Sequence, residues 1–230
     1  MDYLLGIDTS TTATKALLID TDGAVVAVAS AGYGFETPRP GWTEQSPALF
    51  WDATVKSIRD VLAQAGVRGA DVAAVGLTGQ MHGMVLLDAQ NRVIRPCILW
   101  NDQRTARQCD EITATVGAER VLEITGNPVL TGFTAPKIVW TRENEPQNYA
   151  RVAHVLLPKD YVRFCLSGEF FSDVSDASGT SLLNVRERRW SDEVLGALDI
   201  PRAWLPEVTE SPVVSSRVSA AAAQATGLAP

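Results

Sequence analysis

The chain lacks a glycine-rich Walker sequence, a His-Glu-x-x-His pair and a Gly-x-Ser-x-Gly elbow, which removes the P-loop, zincin and nucleophile-elbow readings. Cysteine is scarce: Cys97, Cys109 and Cys165 are an odd number, far apart, with no metal-type spacing. They are expected as reduced thiols in a cytoplasmic protein. No stretch approaches a membrane span, and the N-terminal apolar run has neither the length nor the basic flank of a signal peptide. The 20 Lys and Arg face 27 Asp and Glu, a net charge of −7 with no basic stripe, which argues against a nucleic-acid partner. Histidine occurs only twice. What is present is ordinary globular material: 230 residues, 46% hydrophobic and 20% charged, ample for a buried core in one large domain or two small ones.

The chain is organised around its start. Leu4 to Ile7 is an apolar run ending in Asp8, followed by Thr9 to Thr12, then Lys15 and a second apolar run to Ile19. Asp20-Thr21-Asp22-Gly23 turns the chain into a third run, Ala24 to Ala29. Apolar runs joined by such turns predict antiparallel hairpins, with Asp8 at the end of the first strand and Thr9–Thr12 as the turn. A turn of this kind can aim amides and hydroxyls at a phosphate, and the carboxylate can hold Mg²⁺ through water. Equally, it can be no more than a polar turn.

Further along, Ser46 and Pro47 open a helix with Trp51, Val55, Ile58 and Leu62 at helical spacing, closed by Gly66. Val72 to Thr78 is nearly continuous apolar sequence and predicts a central strand covered on both faces. It runs into Gly79-Gln80-Met81-His82-Gly83, whose glycines allow a sharp turn near a ligand. Strands are expected at 84–88 and 152–157, with an extended stretch from Val93 to Trp100. Helices are expected at about 103–116, after Thr134 as N-cap, from Pro158 to Gly168, from Ser191 to Leu198 and over 217–225. Ser172 to Thr180 reads as a polar loop. The pattern gives an α/β mixed sheet with flanking helices and leaves the strand order open.

His82 can be a core histidine or, from its place at a strand end, a ligand contact. Asn101 and Asp102 can hydrogen-bond sugar hydroxyls beside an apolar Trp100, although Asp102 is also placed to cap the next helix. Lys137, Lys159 and Asp160 sit at helix starts, where a lysine opposes the dipole, which points to a reason other than helix stability, such as an ion pair. Asp173 and Asp176 read as turn and cap residues.

These blocks occur together in a known order. Gly6-Ile7-Asp8 with Thr11, Thr12 and Lys15, then Gly79–Gly83, Ile98–Asp102, Gly132–Lys137, Leu156–Asp160 and Ser172–Thr180 resemble the FGGY carbohydrate kinases, nearest to their xylulokinase branch. The resemblance implies an actin-like (ribonuclease-H-like) domain, the first of two, spanning residues 1–230. It implies ATP and Mg²⁺, with Asp8 acting through the metal as the catalytic carboxylate and Thr11, Thr12 and Lys15 at the phosphate. Met81, His82, Trp100, Asn101 and Asp102 would contact the sugar, D-xylulose being the expected substrate and its 5-phosphate the product. The family usually has glycine where this chain has Ser10. The catalytic base, in a Gly-Gly-x-Asp motif, is expected beyond Pro230, as is the ATP-binding second domain, so the chain itself is expected to be inactive. Another sugar or polyol kinase, a non-catalytic sugar-binding fragment and a ribonuclease-H-like nuclease remain alternatives, and a homodimer is left open.

Overall fold

A computed structural model describes residues 2–230. In chain order the strands are β1 (Tyr3–Thr9), β2 (Ala13–Asp20), β3 (Val25–Gly32), β4 (Glu44–Gln45), β5 (Val72–Gly79), β6 (Val85–Leu87), β7 (Cys97–Ile98), β8 (His154–Leu156), β9 (Phe171–Asp173), β10 (Leu183–Asn184), β11 (Arg189–Trp190) and β12 (Glu207–Thr209). The helices are α1 (Pro47–Ala65), α2 (Ala106–Val116), α3 (Ala118–Thr125), α4 (Thr134–Asn144), α5 (Pro146–Tyr149), α6 (Pro158–Ser167), α7 (Val174–Ser178), α8 (Asp192–Leu198) and α9 (Ala220–Thr226).

The main sheet has the order β3-β2-β1-β5. β1 runs antiparallel to β2 and parallel to β5, so the sheet is mixed, as expected. Along β1 the burial alternates: Leu5, Ile7 and Thr9 point into the core, while Leu4, Gly6 and Asp8 lie on the other face. α1 covers the core face. Its buried side is Phe50, Ala53, Thr54, Ser57, Ile58, Val61 and Leu62, so Trp51 and Val55 sit at the margin of the stripe rather than on its centre. Gly66 closes the helix in the left-handed region at φ 64°. Ser46 occupies the N-cap position without a side-chain cap bond.

Among the described residues β5 is the outer strand of the main sheet and is not covered on both faces: Ala73, Ala74, Gly76 and Thr78 are exposed. The strands covered on both sides are β6, β7 and β8. There Val85 and Leu87, Cys97 and Leu99, and Leu156 join the core under the main sheet. Met84 and Leu86, Ile98, and Val155 join a second core with Ile112, Ile138 and Trp140 of the surrounding helices. Alternate side chains of one short strand serve two cores, and this is what a continuous apolar run encodes. In β5 the same appearance comes from small residues on an open face.

Other boundaries shift for local reasons. β1 extends through Thr9, so the turn is Ser10 to Thr12, and Asp8 sits inside the strand rather than at its end. α2 begins at Ala106 because Asp102 folds back onto Arg104 instead of capping. α4 is capped at Phe133, and Thr134 is its first residue. α3 and α5 were not anticipated. The loop expected from Ser172 to Thr180 is β9 followed by α7, with Asp173 accepting from the Asp176 amide as a true N-cap. The three cysteines are free, and burial raises the Cys97 thiol to about 12. Among the described residues, no helix is long and apolar enough to cross a membrane.

Candidate functional site

The N-terminal turn is built by bonds that occupy its carbonyls. The Ser10 amide and hydroxyl both donate to the Ala13 carbonyl, at 2.9 and 2.8 Å. Tyr33 Oη donates to the Ser10 carbonyl at 2.6 Å, and Gln45 Nε2 to the Thr11 carbonyl at 2.6 Å. The Tyr33 amide takes the Thr12 carbonyl at 2.9 Å. Among the described residues no protein acceptor is bonded to the Thr11 or Thr12 amide, so the turn presents donors outward, as an anion site requires. Ser10 is not in the left-handed region, and its hydroxyl closes the turn, so serine fits there without backbone strain. Burial of Tyr33 raises its phenol to about 12.

Asp8 stands beside this turn, with Lys15 of β2 and Thr78 of β5 as its cross-strand neighbours. Among the described residues no group of three or more His, Cys, Asp or Glu could hold a metal ion. A lone carboxylate still suits Mg²⁺, which keeps most of its waters and takes the rest of its ligands from phosphate oxygens.

The second part of the site is the loop after β5. Gly83 N–H donates to the Met81 carbonyl at 2.8 Å, closing a three-residue turn around His82. His82 has φ 65°, a left-handed backbone that a non-glycine residue adopts only under constraint. Its Nδ1 lies 2.6 Å from the Gly179 carbonyl. A carbonyl only accepts, so Nδ1 carries the proton and Nε2 is left as an acceptor. The ring lies against Phe133, with centroids 4.5 Å apart. A Cβ on Gly179 would come within 2.4 Å of the His82 ring, so only glycine fits there. Burial is the largest influence on the imidazole and lowers its pKa, which keeps it neutral near pH 7.

Trp100 stands against the N-terminal turn. It is 45% exposed, and its Nε1 donates to Thr11 Oγ1 at 3.0 Å, so the indole wall touches the N-terminal turn. Met81 is 52% exposed at the same loop. Asn101 Oδ1 accepts from Thr43 Oγ1 at 2.7 Å, which leaves its amide nitrogen as the end open to a ligand.

Asp102 is a correction. Its carboxylate is fully buried. Oδ1 accepts from the Arg104 amide and Nε, and Oδ2 from the Thr43 amide and Arg104 Nη2, all at 2.7–2.9 Å. A carboxylate already bonded on both oxygens has nothing to offer a sugar hydroxyl, so its role is to hold the Trp100–Asn101 corner. The expected ion pair of Lys159 is present, with Asp160, Asp173 and Asp176 at 3.1–3.4 Å from Nζ. Lys137 instead donates to two backbone carbonyls. Sequence reasoning missed Arg104, Gln45 and Gln80, which tie the turn and the corner together. Nothing in their local spacing marks them.

The model of the N-terminal domain of the FGGY family of carbohydrate kinases matches residues 3–230. The chain belongs to that family. It is 43% identical to the xylulose kinase of Lactococcus lactis over 92% of its own length and 42% of that protein's. It is also 43% identical to the xylulose kinase of Escherichia coli, over 98% and 46%. The solved xylulose kinase of Rhodospirillum rubrum superposes with a TM-score of 0.95 at 30% identity, covering 99% of this chain and 46% of the other. This FGGY chain therefore spans less than half the length of the curated relatives it matches.

One expectation follows from the His82 tautomer. A ligand hydroxyl bonded to Nε2 should bind equally well around neutral pH and lose affinity only at acid pH, below the ordinary imidazole value. The sign is fixed by the lowered pKa: Nε2 stays an acceptor until the pH reaches that value, and protonation then turns it into a donor. Calorimetric titration alongside an NMR titration of the imidazole checks this, and affinity unchanged through protonation of the ring would remove Nε2 from the contact.

Proposed function

We propose that this chain is the sugar-binding, N-terminal half of an ATP-dependent kinase that phosphorylates D-xylulose to D-xylulose 5-phosphate. The observation that carries the reading is the bond from Trp100 Nε1 to Thr11 Oγ1. It sets the Trp100–Asn101 corner, proposed here to recognise hydroxyls, directly against the phosphate-type turn. The similarity to xylulose kinases supports the choice of sugar.

In this reading Nε2 of His82 accepts from one sugar hydroxyl, Asn101 offers its amide, and Met81 and Trp100 cover the apolar side of the ketose. The Thr11 and Thr12 amides and hydroxyls, with Lys15, receive the phosphate chain. Asp8 would hold a Mg²⁺ ion, which would supply positive charge against the negative charge of the transferring phosphoryl group. The bond that forms joins the sugar's terminal oxygen to the γ-phosphorus, and the bond that breaks is the one to the bridging β–γ oxygen. The proton leaves to a base that must lie within hydrogen-bond reach. Neither buried Asp102 nor neutral His82, whose Nε2 is committed to recognition, fills that role. We assign the base and the adenine site to a second domain. The acidic surface charge and free thiols support a cytoplasmic enzyme with no nucleic-acid partner.

An ADP-release assay tests the assignment. The 230-residue chain with ATP, Mg²⁺ and D-xylulose should show no turnover, and addition of the second domain should restore it. Robust turnover by the chain alone would place the base within these residues. No sugar-dependent turnover with both domains present would overturn the kinase reading.

A further inference from the structure

Lys137 sits in the first turn of α4, where a cation opposes the helix dipole, and its side chain is completely buried. Nζ donates to the carbonyl oxygens of His82 at 2.8 Å and Gly132 at 2.6 Å. Neither acceptor is a carboxylate. The ionisable groups acting on it are Cys97, Asp102 and Arg104, and burial outweighs them, lowering the ammonium to about 7. A buried amine held only by carbonyls is an expensive way to fill space, and an apolar side chain of similar length would do that better.

The two carbonyls show what it does there. His82 occupies the centre of its three-residue turn at φ 65°, a conformation that persists only where its surroundings enforce it. Two side chains of one helical turn do so from below: Lys137 Nζ, and Thr134 Oγ1 at 3.2 Å from the same oxygen. The Gly132 carbonyl belongs to the loop beneath Trp100, so close that a Cβ on Gly132 would lie 2.5 Å from the Trp100 carbonyl oxygen. One ammonium thus binds the backbone behind His82 to the backbone behind Trp100.

We propose that Lys137 is a positioning residue for sugar recognition, fixing the His82 imidazole relative to the Trp100 wall by holding the His82 and Gly132 carbonyls on one nitrogen. It touches neither sugar nor phosphate. Only the identity of the ligand rests on the xylulose-kinase reading. The positioning itself has a readout that needs no ligand. When the His82 carbonyl is released, the strained turn relaxes, the Nδ1–H bond to Gly179 weakens, and the imidazole samples both tautomers. An arginine can donate to both carbonyls, whereas a methionine can donate to neither.

The experiment compares Lys137→Met, Lys137→Arg and Thr134→Val by ¹⁵N spectra of the imidazole, with the second histidine removed as His154→Gln for assignment. It also uses steady-state kinetics of the whole two-domain kinase on D-xylulose. The unsubstituted chain should show a single Nδ1–H tautomer. Lys137→Met should show mixed tautomers and a KM for sugar raised about tenfold, with kcat lowered less than about threefold. Thr134→Val, which removes one of the two donors, should shift both readouts in the same direction by a smaller step. Lys137→Arg should return the tautomer and bring KM to within about threefold of the unsubstituted enzyme. If Lys137→Met does not fold, the Thr134→Val and Lys137→Arg results decide. A purely structural lysine would lower the melting temperature and leave tautomer and KM unchanged, and that result overturns the proposal. Mixed tautomers in a protein that ignores D-xylulose would support the positioning role and reject the sugar assignment.

Discussion

Arg104→Met is expected to lower the stability of the chain by about 3–5 kcal/mol, the range for removing one partner of a buried ion pair. The guanidinium is completely buried and bonds Asp102 through Nε and Nη2 and Glu44 through Nη1. It lies over two adjoining indoles, 3.9 Å from the Trp42 ring centroid and 4.9 Å from that of Trp140. Methionine would keep most of the packing and lose every donor. Glu44 would retain Arg95 at 2.6 Å, but Asp102 would be left with the Thr43 amide as its only partner beyond the Arg104 amide. A buried carboxylate with two amide donors and no cation is the source of the loss. Urea unfolding with an unchanged m-value measures it, and a loss below about 1 kcal/mol would mean that the cluster is worth no more than a surface pair. Changing Asp102 to Asn in the same chain should recover part of the loss, because the uncompensated charge is then gone.

The largest functional effect is expected at Asp8. Asp8→Asn should leave unfolding unchanged to within about 0.5 kcal/mol, because the side chain lies on the uncovered face of β1 and supports no core. In the whole kinase it should lower kcat by about three orders of magnitude, the scale for losing one electrostatic stabiliser of developing charge. Sugar affinity should change little, since the residues proposed to bind hydroxyls are on other segments. The split is readable from turnover at saturating D-xylulose together with calorimetry of sugar alone. An Asp8→Asn enzyme with ordinary turnover would detach the N-terminal turn from the chemistry. One that also failed to bind sugar would make Asp8 a structural residue.

The hairpins, α1 with its Gly66 stop, α6, and α8 with its Ser191 cap are legible because each is announced by signals a few residues apart. The six motif blocks are legible for the same reason, and family membership follows from them. The misreadings share a different cause. Val72 to Thr78 and Val85 to Leu87 look alike as apolar runs, yet among the described residues one has an open face and the other lies between two cores. Asp102 has the spacing of a cap and the chemistry of a sugar ligand, and is neither, because Arg104, Thr43 and Glu44 converge on that corner.

The sequence by itself determined the local setting of each candidate residue: Asp8 with its hydroxyl-rich turn, the Gly-flanked Met81 and His82, and the Trp100–Asn101 corner. It did so because strand-end glycines, short polar turns and hairpin spacing act over a few residues and carry their geometry with them. Only the tertiary structure decided what each of these residues has to offer. His82 is an acceptor because Gly179, 97 residues away, takes its Nδ1 proton. Asp102 is spent because Thr43, 59 residues away, and Arg104 share its oxygens. Local pattern reports which face of a segment is buried. What it is buried against, and hence which lone pairs and protons remain free, is settled only when distant segments pack.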